Sequence, residues 1–507
     1  MKNAGKEWTP VKSSGFFLGC VLFCVLYFFN PLEINTAANN TAAVAALMAC
    51  WWMFESIPLG ATALVPVILF PLLGVLDGKT VASSYFNTTI MLFLGGFMIA
   101  IAMEKWQLHK RISLKILRSI GGTPPKMILG FMIATAFLSM FISNTATAIM
   151  MLPIGIAVIT AMETSTSKKM TNKFSISLLL AIAYSASIGG IATIVGTPPN
   201  LAFHRIFEIS FPKAPEISFS DWMVFGFPLS LILLALLWLI LTQIMYRNPR
   251  DLRIGKEIIR SEKEKLGKMT FEEKAVLIIF IITGVLWIFR DSLNLGFVEI
   301  PGWASLLAFG EYIDDGTVAI FMALLLFLIP SKEDTRKTRL LSAGDFKKLP
   351  WEIVILFGGG FALAEGFHGS GLSEIVGSYF GSFAGIPDIL IIMLVCSFLT
   401  FLTELTSNTA TTQTILPILA GISISAGMNP LFLMIPATIS ASCAFMLPVA
   451  TPPNAIVFGS SRLAIKEMVK MGIIMNILGV IVISLFFYFI GSSIFGIESG
   501  EMPYWAE

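Results

Sequence analysis

The stretch that decides the fold is FISNTATAIMMLPI, residues 141–154, which recurs in closely similar form as LTSNTATTQTILPI, residues 405–418. Both stretches are apolar around a Ser-Asn-Thr core and carry no charged side chain. Hydroxyl and amide groups within a hydrocarbon segment need partners, because burying them unpaired costs roughly 2–7 kcal/mol each. The repeated core therefore indicates that one polar element is used twice in a chain that otherwise avoids water.

The composition places most of the chain in a membrane. The 507 residues are 56% hydrophobic and 13% charged, whereas soluble domains carry about 25% charged residues. Uncharged runs approach or reach the ~20 residues that cross a bilayer as a helix: 16–29, 227–245, 275–289, 317–329 and 473–490. They lack the alternation of transmembrane β-strands. We predict an all-α polytopic membrane protein; its net charge of +2 gives no reason to expect a nucleic-acid partner.

Basic loops orient the predicted helices, because cytoplasmic loops are enriched in Lys and Arg. We place three basic loops in the cytoplasm: 105–118, 246–274 and 331–348. Segments 291–316 and 367–387 contain no Lys or Arg and are placed outside. The basic N-terminus precedes an apolar run without a clear cleavage pattern, so we expect a retained first helix, a cytoplasmic N-terminus and a multi-pass protein of the cell (plasma or inner) membrane.

The two Ser-Asn-Thr stretches are predicted to lie in re-entrant hairpins. Residues 127–160 have basic flanks on both sides, so this hairpin opens to the cytoplasm, whereas residues 388–425 lack basic flanks and open outside. LFLGGFMIA (92–100) matches LFGGGFALA (356–364), and GTPPN (196–200) matches ATPPN (450–454). Because the copies have opposite predicted orientation, they form an inverted repeat, which in secondary transporters places the site at the repeat interface near mid-membrane.

The predicted organisation follows from this repeat. The order is a tail and first helix, a first repeat with its cytoplasm-facing hairpin, a cytoplasmic linker, a second repeat with its outside-facing hairpin, and a C-terminal tail: 1–40, 41–245, 246–274, 275–497 and 498–507.

The two Thr-Pro-Pro-Asn elements are predicted to break helices within the membrane. A double proline removes two backbone donors, so carbonyls such as those of Gly196 and Ala450 lose their partners. Irregular backbone at this depth is tolerated only where it lines a protein cavity or a water-filled site. The exposed helix ends attract ions, anions at N-termini and cations at C-termini. Hairpin tips and breaks together predict a neutral, oxygen-rich binding site.

These motifs, with LPVATPPNAIVFG (447–459) and ILFGGGFALAEG (355–366), resemble the divalent anion/sodium symporter family, which includes sodium-coupled dicarboxylate and citrate carriers. The resemblance covers most of the chain. It implies about eleven transmembrane helices, two re-entrant hairpins, a homodimer, and elevator-type movement of a transport domain against a scaffold domain.

The resemblance also implies site residues. One sodium ion would bind Ser139, Ser143, Asn144 and the backbone of Gly196, and another Thr403, Ser407, Asn408 and the backbone of Ala450. The substrate would lie between them and contact two sets of residues, from the tips Asn144, Thr145, Asn408 and Thr409, and from the breaks Thr197, Pro198, Thr451 and Pro452.

The predicted function is sodium-coupled symport of C4-type dicarboxylates such as succinate, malate or fumarate. The motifs contain no Lys or Arg, so co-transported sodium ions would supply the positive charge that a dianion needs. A sodium-independent dicarboxylate or tricarboxylate exchanger is the alternative, and sulfate stays open as a substrate.

An intramembrane enzyme would need a motif such as H-E-x-x-H or G-x-S-x-G, and the chain has neither, so we predict no enzymatic activity. The roles of Glu55, Glu365 and Glu404 stay open between helix capping, tuning of the site and proton transfer.

Overall fold

The computed structural model describes residues 9–31, 33–120, 122–163, 167–247, 256–294, 299–332, 338–379, 386–497 and 502–506. Nearly all of its regular structure is helical, which confirms the predicted all-α class. Two short strands, Leu293–Asn294 and Glu299–Ile300, pair antiparallel in a loop. Short 3₁₀ turns cover Trp303–Leu306, Gly310–Tyr312 and Tyr504–Ala506.

In the described part of the first half, twelve α-helices lie between the N-terminus and the linker. They are α1 (Pro10–Phe29), α2 (Thr36–Met53), α3 (Leu59–Thr62), α4 (Val65–Leu72), α5 (Gly78–Ser84), α6 (Thr88–Lys105), α7 (Leu108–Ile120), α8 (Pro124–Ser139), α9 (Asn144–Glu163), α10 (Lys168–Gly190), α11 (Pro198–Ser210) and α12 (Phe219–Leu239). A π-helical turn, Ile240–Met245, continues α12.

The helices of the second half are numbered on from α12 in chain order. Its helices are α13 (Lys256–Lys265), α14 (Phe271–Ile288), α15 (Asp315–Leu328), α16 (Ala343–Phe346), α17 (Trp351–Ser370), α18 (Leu372–Tyr379), α19 (Asp388–Leu402), α20 (Asn408–Ser425), α21 (Leu431–Ala441), α22 (Pro452–Phe458), α23 (Ile465–Phe486) and α24 (Ser492–Ile494). A π-helical turn, Phe487–Gly491, joins α23 to α24. Helix α14 begins before the predicted end of the linker because Thr270 and Glu273 form a capping box at its N-terminus.

Many of these helices have the length and composition of membrane-spanning segments. Within the described residues, 7 helical segments are long and apolar enough to cross a bilayer, and further apolar helices are shorter. Helix α1 is an example: its Phe28 and Phe29 are 72% and 77% exposed. Such exposed apolar side chains are expected on a helix that faces lipid. The short apolar helices include α8, α19 and α21, which end at the hairpin tips or at a break.

Each Ser-Asn-Thr motif lies at a tight turn between two helices. The first turn joins α8 to α9, and the second joins α19 to α20. The first pair packs on α10 and the second on α21, the two helices that end at the Thr-Pro-Pro-Asn breaks. In addition α9 contacts α22, and α20 contacts α11. The fragment after each break therefore packs against the hairpin of the other repeat, which brings the four elements of the predicted site together.

Glycines of the repeated Gly-Gly motif allow close helix packing. A Cβ atom on Gly95 would lie 2.5 Å from the Ala319 backbone in α15. A Cβ atom on Gly359 would lie 2.4 Å from the carbonyl oxygen of Ala63. Small residues at such contacts let helix backbones approach in a membrane, where the hydrophobic effect does not drive association.

Ion pairs join the three basic loops to one another. Lys105 Nζ lies 2.8 Å from Asp345 Oδ2, which connects the first loop to the third. Arg111 Nε lies 2.8 Å from Glu273 Oε1, which connects the first loop to the linker. Loops that contact each other lie on the same side of the membrane, as the charge pattern predicts. Their absolute sidedness stays a prediction.

Sidedness can be measured with a membrane-impermeant maleimide on intact cells. We expect Ile386→Cys, at the start of α19, to be labelled from outside, and Lys126→Cys, at the start of α8, to be labelled only after the membrane is opened, because the two hairpins enter from opposite sides. Both positions are exposed. The unsubstituted protein controls for the five native cysteines. Labelling of both positions from one side would remove the inverted relation of the hairpins.

Candidate cation and anion site

The first hairpin tip gathers oxygen atoms around Ser139, the last residue of α8. Its hydroxyl oxygen lies 2.6 Å from Asn144 Oδ1 and 2.6 Å from the carbonyl oxygen of Ala186 in α10. Ser139 is fully buried. A hydroxyl has one proton, so three oxygen atoms share a single hydrogen here. Such a cluster of neutral oxygens has the chemistry of a site for a hard cation.

The second tip repeats this arrangement with Thr403 in place of Ser139. Thr403 Oγ1 lies 2.5 Å from Asn408 Oδ1 and 3.0 Å from the carbonyl oxygen of Ala441 in α21. Thr403 is also fully buried. The predicted partners in each set, a hydroxyl residue and an asparagine, therefore do come together at both tips.

The asparagines of the two Thr-Pro-Pro-Asn motifs hold the breaks open. Asn200 Nδ2 donates to the carbonyls of Gly190 and Thr193 at 3.2 and 2.8 Å. Asn454 Nδ2 donates in the same way to the carbonyls of Ala444 and Leu447, at 3.2 and 3.0 Å. Both asparagines are fully buried, and the Oδ1 atom of each is left without a partner. These side chains replace helical hydrogen bonds that the breaks have lost.

Gly190 marks the space where the first tip meets the first break. A Cβ atom at this position would lie 2.8 Å from Asn144 Oδ1 and 3.0 Å from the carbonyl oxygen of Gly196. Two predicted cation ligands thus converge beside a residue that has no side chain. The matching residue of the second repeat is Ala444, so the second cluster cannot have the same shape. Ala450, the predicted backbone ligand there, donates its N–H to the Leu447 carbonyl at 3.2 Å and is buried.

The remaining predicted tip residues flank these clusters. Ser143 and Ser407 precede α9 and α20 and are half-buried, and the Ser143 hydroxyl accepts the Ala146 N–H at 3.2 Å. Thr145 is half-buried, whereas Thr409 is 9% exposed. These positions leave polar groups beside the clusters, as a substrate site would need.

Four helices begin at the motifs. Helices α9 and α20 start at Asn144 and Asn408, and α11 and α22 start at Pro198 and Pro452. Thr197 and Thr451 are the N-cap residues of α11 and α22 and have extended backbones. Helix N-termini present unpaired N–H groups and a partial positive charge. The arrangement therefore offers positive potential without a cationic side chain.

The two N-cap threonines differ in what their hydroxyls do. The Thr451 side chain accepts the Asn454 N–H at 3.3 Å, whereas Thr197 makes no such capping bond. Both threonines are buried, Pro198 is half-buried and Pro452 is exposed. The second break is also the more open one, since the neighbouring Val449 is 82% exposed.

Glu404, whose role the sequence left open, supports the second break. Its Oε1 accepts the backbone N–H groups of Phe445 and Met446 at 2.7 and 2.8 Å, and its Oε2 accepts that of Leu447 at 3.0 Å. Asn476 Nδ2 in α23 donates to Oε1 at 2.8 Å. One carboxylate therefore satisfies three donors that the break releases. A lone charge directly after Thr403 was the sequence signal for this role.

The first repeat has no carboxylate at this position and joins its tip to its break by a different bond. Met140 stands at the position that matches Glu404, and its carbonyl accepts the Thr193 hydroxyl at 2.5 Å. Glu365 lies 3.9 Å from an Arg205 nitrogen, and Glu55 is exposed at the turn after α2 with a positive φ of 44°. Of the three glutamates, Glu404 is the one that bonds to a motif element.

Each tip also borders a small cavity at the edge of the repeat core. Phe141 and Val195, beside the first tip and break, line one cavity with Ile99 of α6 and Phe280 of α14. Thr406 and Ser407, at the second tip, line another with Trp52 of α2. Direct contacts remain beside these cavities, since the Phe141 and Phe280 rings lie 4.9 Å apart between centroids.

This fold and site define a class, the helical membrane transport proteins, and comparison with known proteins specifies it. The model of the family "Sodium:sulfate symporter transmembrane region" matches residues 12–496. The chain belongs to this family, which confirms the resemblance drawn from the motifs.

Curated relatives are similar over nearly the whole chain. A sodium-dependent dicarboxylate transporter, SdcS, of Staphylococcus saprophyticus is 41% identical over 503 residues, 98% of this chain and 95% of the relative. SdcS of Staphylococcus aureus strain MRSA252 is 43% identical over 502 residues, 98% of this chain and 94% of the relative. These relatives are transporters and not enzymes, as predicted for this chain.

Solved structures share the fold at low sequence identity. Neisseria gonorrhoeae MtrF, described as one of a class of antimetabolite efflux pumps, aligns with a TM-score of 0.55 at 11% identity and covers 93% of this chain and 97% of its own. The Alcanivorax borkumensis YdaH transporter aligns with a TM-score of 0.55 at 12% identity and covers 89% of this chain and 98% of its own. Both support the transporter fold alone.

The role of Gly190 in the candidate cation site can be tested by adding a Cβ atom there. We expect Gly190→Ala to weaken sodium binding about tenfold, or about 1.4 kcal/mol, because the added Cβ atom displaces Asn144 Oδ1. Sodium-dependent stabilisation of the purified protein against thermal unfolding measures this. Ala444→Gly, the reciprocal change in the second repeat, is the control and should retain sodium binding. Equal sodium affinity of Gly190→Ala and wild type would exclude this space from the cation site.

Glu404→Gln should destabilise the second break by about 1–3 kcal/mol, because an amide N–H₂ would face backbone donors that now have an acceptor. We expect a lower thermal unfolding midpoint and a higher sodium requirement. Glu365→Gln changes a glutamate of α17 that lies 3.9 Å from Arg205; it provides the control and should change neither quantity strongly. If both variants behave alike, the bonds of Glu404 to the break do not matter for the site.

Proposed function

We propose that this protein is a secondary active transporter that carries C4-type dicarboxylates, such as succinate, malate or fumarate, together with sodium ions. The observation that carries the proposal is the pair of neutral oxygen clusters, centred on Ser139 and Thr403, directly beside helix N-termini. One feature suits a cation and the other an anion. The relatives' names, sodium-dependent dicarboxylate transporters, support the same pairing.

The first sodium ion would bind at the cluster of Ser139, Ser143, Asn144 and the Gly196 carbonyl. Sodium is a hard cation that prefers hydroxyl, amide and carbonyl oxygens. The convergence of Asn144 Oδ1 and Gly196 O beside Gly190 supports this set. The second ion would use the equivalent residues of the other repeat: Thr403, Ser407, Asn408 and the Ala450 carbonyl.

The dicarboxylate would lie between the two tips. Its carboxylates would meet Asn144 and Thr145 of the first tip, Asn408 and Thr409 of the second, and the N-cap residues of the breaks: Thr197, Pro198, Thr451 and Pro452. Anions bind at helix N-termini through N–H groups and the helix dipole. Helix α22 is short, so the longer α9, α11 and α20 would contribute most of this potential.

Coupling would follow from the lack of a cationic side chain in the motifs. Neutral donors alone hold a dianion weakly, and nearby bound sodium ions would supply the missing charge. Because binding linkage is reciprocal, the dianion would also strengthen sodium binding. Asn144 and Asn408 would each contact one sodium ion and the dicarboxylate. Each asparagine would therefore couple cation binding to substrate binding directly.

We also propose that transport proceeds by an elevator-type movement. The hairpins with α10–α12 and α21–α23 would form the transport domain, and the remaining membrane helices the scaffold. The family resemblance supports this movement, and the boundary would run where the tips meet α2, α6 and α14. The family resemblance supports a homodimer, which would show twice the 55.3 kDa chain mass. We further propose a cytoplasmic N-terminus in a plasma or inner membrane, which the distribution of Lys and Arg among the loops supports.

Succinate uptake into proteoliposomes tests the proposed function. We expect uptake with a sodium gradient and almost none in choline buffer, because the anion site needs bound sodium. Ser139→Ala and Thr403→Ala should each lower uptake at least about tenfold, or about 1.4 kcal/mol. Ser423→Ala removes another buried hydroxyl of the second hairpin, one that bonds within its own helix, and should transport normally.

Other outcomes identify other functions. Equal uptake in choline buffer with dicarboxylate inside the vesicles would establish a sodium-independent exchanger. Sodium-dependent uptake of sulfate without uptake of succinate would retain the coupling and overturn the proposed substrate. The name of the family includes sulfate, so this outcome is worth measuring. Normal uptake by Ser139→Ala or Thr403→Ala would remove that residue from the cation sites.

A further inference from the structure

Helix α10 contacts the site of its own repeat and the break of the other repeat. Near its C-terminal end, the Ala186 carbonyl accepts the Ser139 hydroxyl at 2.6 Å, within the first oxygen cluster. Two residues earlier, the Tyr184 hydroxyl donates to the carbonyl of Phe445 at 2.6 Å. Phe445 lies in the second break, between α21 and α22. One rigid helical turn therefore touches both repeats.

The Tyr184 bond is well placed to hold the second break. Tyr184 is fully buried, and its ring packs on the Phe445 ring with 4.9 Å between centroids. The Met468 carbonyl is a second acceptor at a longer distance, 3.2 Å. A phenol has one proton, so the shorter bond to Phe445 takes the larger share. The Phe445 carbonyl lies beyond the end of α21 and needs a donor from outside that helix.

The first break is capped differently. Ile191 stands at the position that matches Phe445, and its carbonyl accepts the indole N–H of Trp222 at 3.0 Å. Trp222 belongs to α12 and hence to the same repeat. The first break is thus held from within its own repeat, whereas the second is held by a residue of the other repeat. A residue of the first repeat therefore supports the break of the second repeat, whereas the bond to the first break comes from its own repeat.

Short contacts connect Tyr184 to the second oxygen cluster. The N–H of Phe445 donates to Glu404 Oε1 at 2.7 Å. Glu404 directly follows Thr403, whose hydroxyl oxygen lies 2.5 Å from Asn408 Oδ1. Displacing Phe445 would therefore move the carboxylate that anchors the second tip.

We infer that Tyr184 is a positioning residue that couples the two cation sites through α10. The inference rests on the proposed function and deepens it, because it assigns the origin of cooperativity between the sodium ions. Tyr184 itself contacts neither ion. It acts on the second site through Phe445 and Glu404.

The coupling has a direct physical route. A cation at the first cluster takes lone pairs of Asn144 Oδ1 and Ser139 Oγ, which leaves the Ser139 proton to the Ala186 carbonyl. This bond holds the first tip against α10 and fixes the end of that helix. Tyr184, on the same turn, then holds the second break in the geometry that its cluster needs. By linkage, sodium at the second site favours binding at the first to the same degree.

Tyr184→Phe tests the inference because it removes only the hydroxyl. Sodium dependence of succinate uptake in proteoliposomes and sodium binding to purified protein are the measurements. We expect a Hill coefficient above one in wild type that falls toward one in Tyr184→Phe, with half-saturating sodium raised about fivefold or more, the lower end of typical coupling. Tyr246→Phe is the matched control, since it also removes one phenol hydroxyl, which donates to Glu467 of α23 at 2.6 Å.

The outcomes separate this inference from the proposed function. Uptake by wild type that ignores sodium would overturn both. Cooperative sodium dependence in wild type that is unchanged in Tyr184→Phe would overturn the inference alone. Reduced uptake in Tyr184→Phe with an unchanged Hill coefficient and half-saturation would also overturn it, because that result shows a merely structural role.

A second variant keeps the inference testable if Tyr184→Phe does not fold. Ser139→Ala disables the first cluster and leaves Tyr184 intact, so sodium binding to the remaining site can be measured directly. We expect that site to bind sodium about fivefold more weakly than the second binding step of wild type. Equal affinity would show that the sites are independent and would overturn the inference.

Discussion

Backbone N–H and C=O groups at the two helix breaks have lost their helical partners, and the rest of the site depends on how they are satisfied. Asn200 and Asn454 supply donors to the carbonyls of the two breaks. Glu404 supplies acceptors to three N–H groups of the second break. The same breaks contain Gly196 and Ala450, the backbone ligands of the proposed cation sites. Stability of the breaks and cation binding therefore depend on the same short segments.

The two repeats meet this constraint with different residues. Glu404 matches Met140, Ala444 matches Gly190, and the tyrosine that caps Phe445 comes from the opposite repeat, whereas Ile191 is capped by Trp222 of its own. Identical sites would bind two cations with equal affinity and would leave their order undefined. The first site packs closely against Gly190, where a Cβ atom would crowd Asn144 Oδ1, and the second has a fixed carboxylate nearby. We expect these differences to give each proposed site its own affinity and its own dependence on the rest of the protein.

Hydropathy, a strong signal in a membrane protein, predicted the fold class, and the recurrence of the motifs located the two turns. The grouping of Ser139 with Asn144 and of Thr403 with Asn408 came from the family resemblance, and the structure places the side chains of each pair in contact. The sequence did not predict the bonds of Tyr184 or the role of Glu404. These side chains act on backbone atoms more than forty residues away in the chain, and no periodicity records a side chain that bonds to irregular backbone. Repeats reveal what the two halves share; the contacts that differ between them need coordinates.

The neutral character of the motifs has a consequence for movement. A site with a fixed arginine or lysine would carry its charge through the membrane on every passage, loaded or empty, at a cost that depends on the membrane potential. The proposed ligands are hydroxyls, amides, carbonyls and helix N-termini, and none of them is a cationic side chain; the carboxylate of Glu404 beside the second cluster is bonded to backbone N–H groups of the break. With a dianion, two sodium ions would cancel the substrate's charge, and any further ion would make loaded passage sensitive to the potential. In the proposed function, neutral ligands around Ser139 and Thr403 would therefore leave the difference in charge between loaded and empty passage to the cargo.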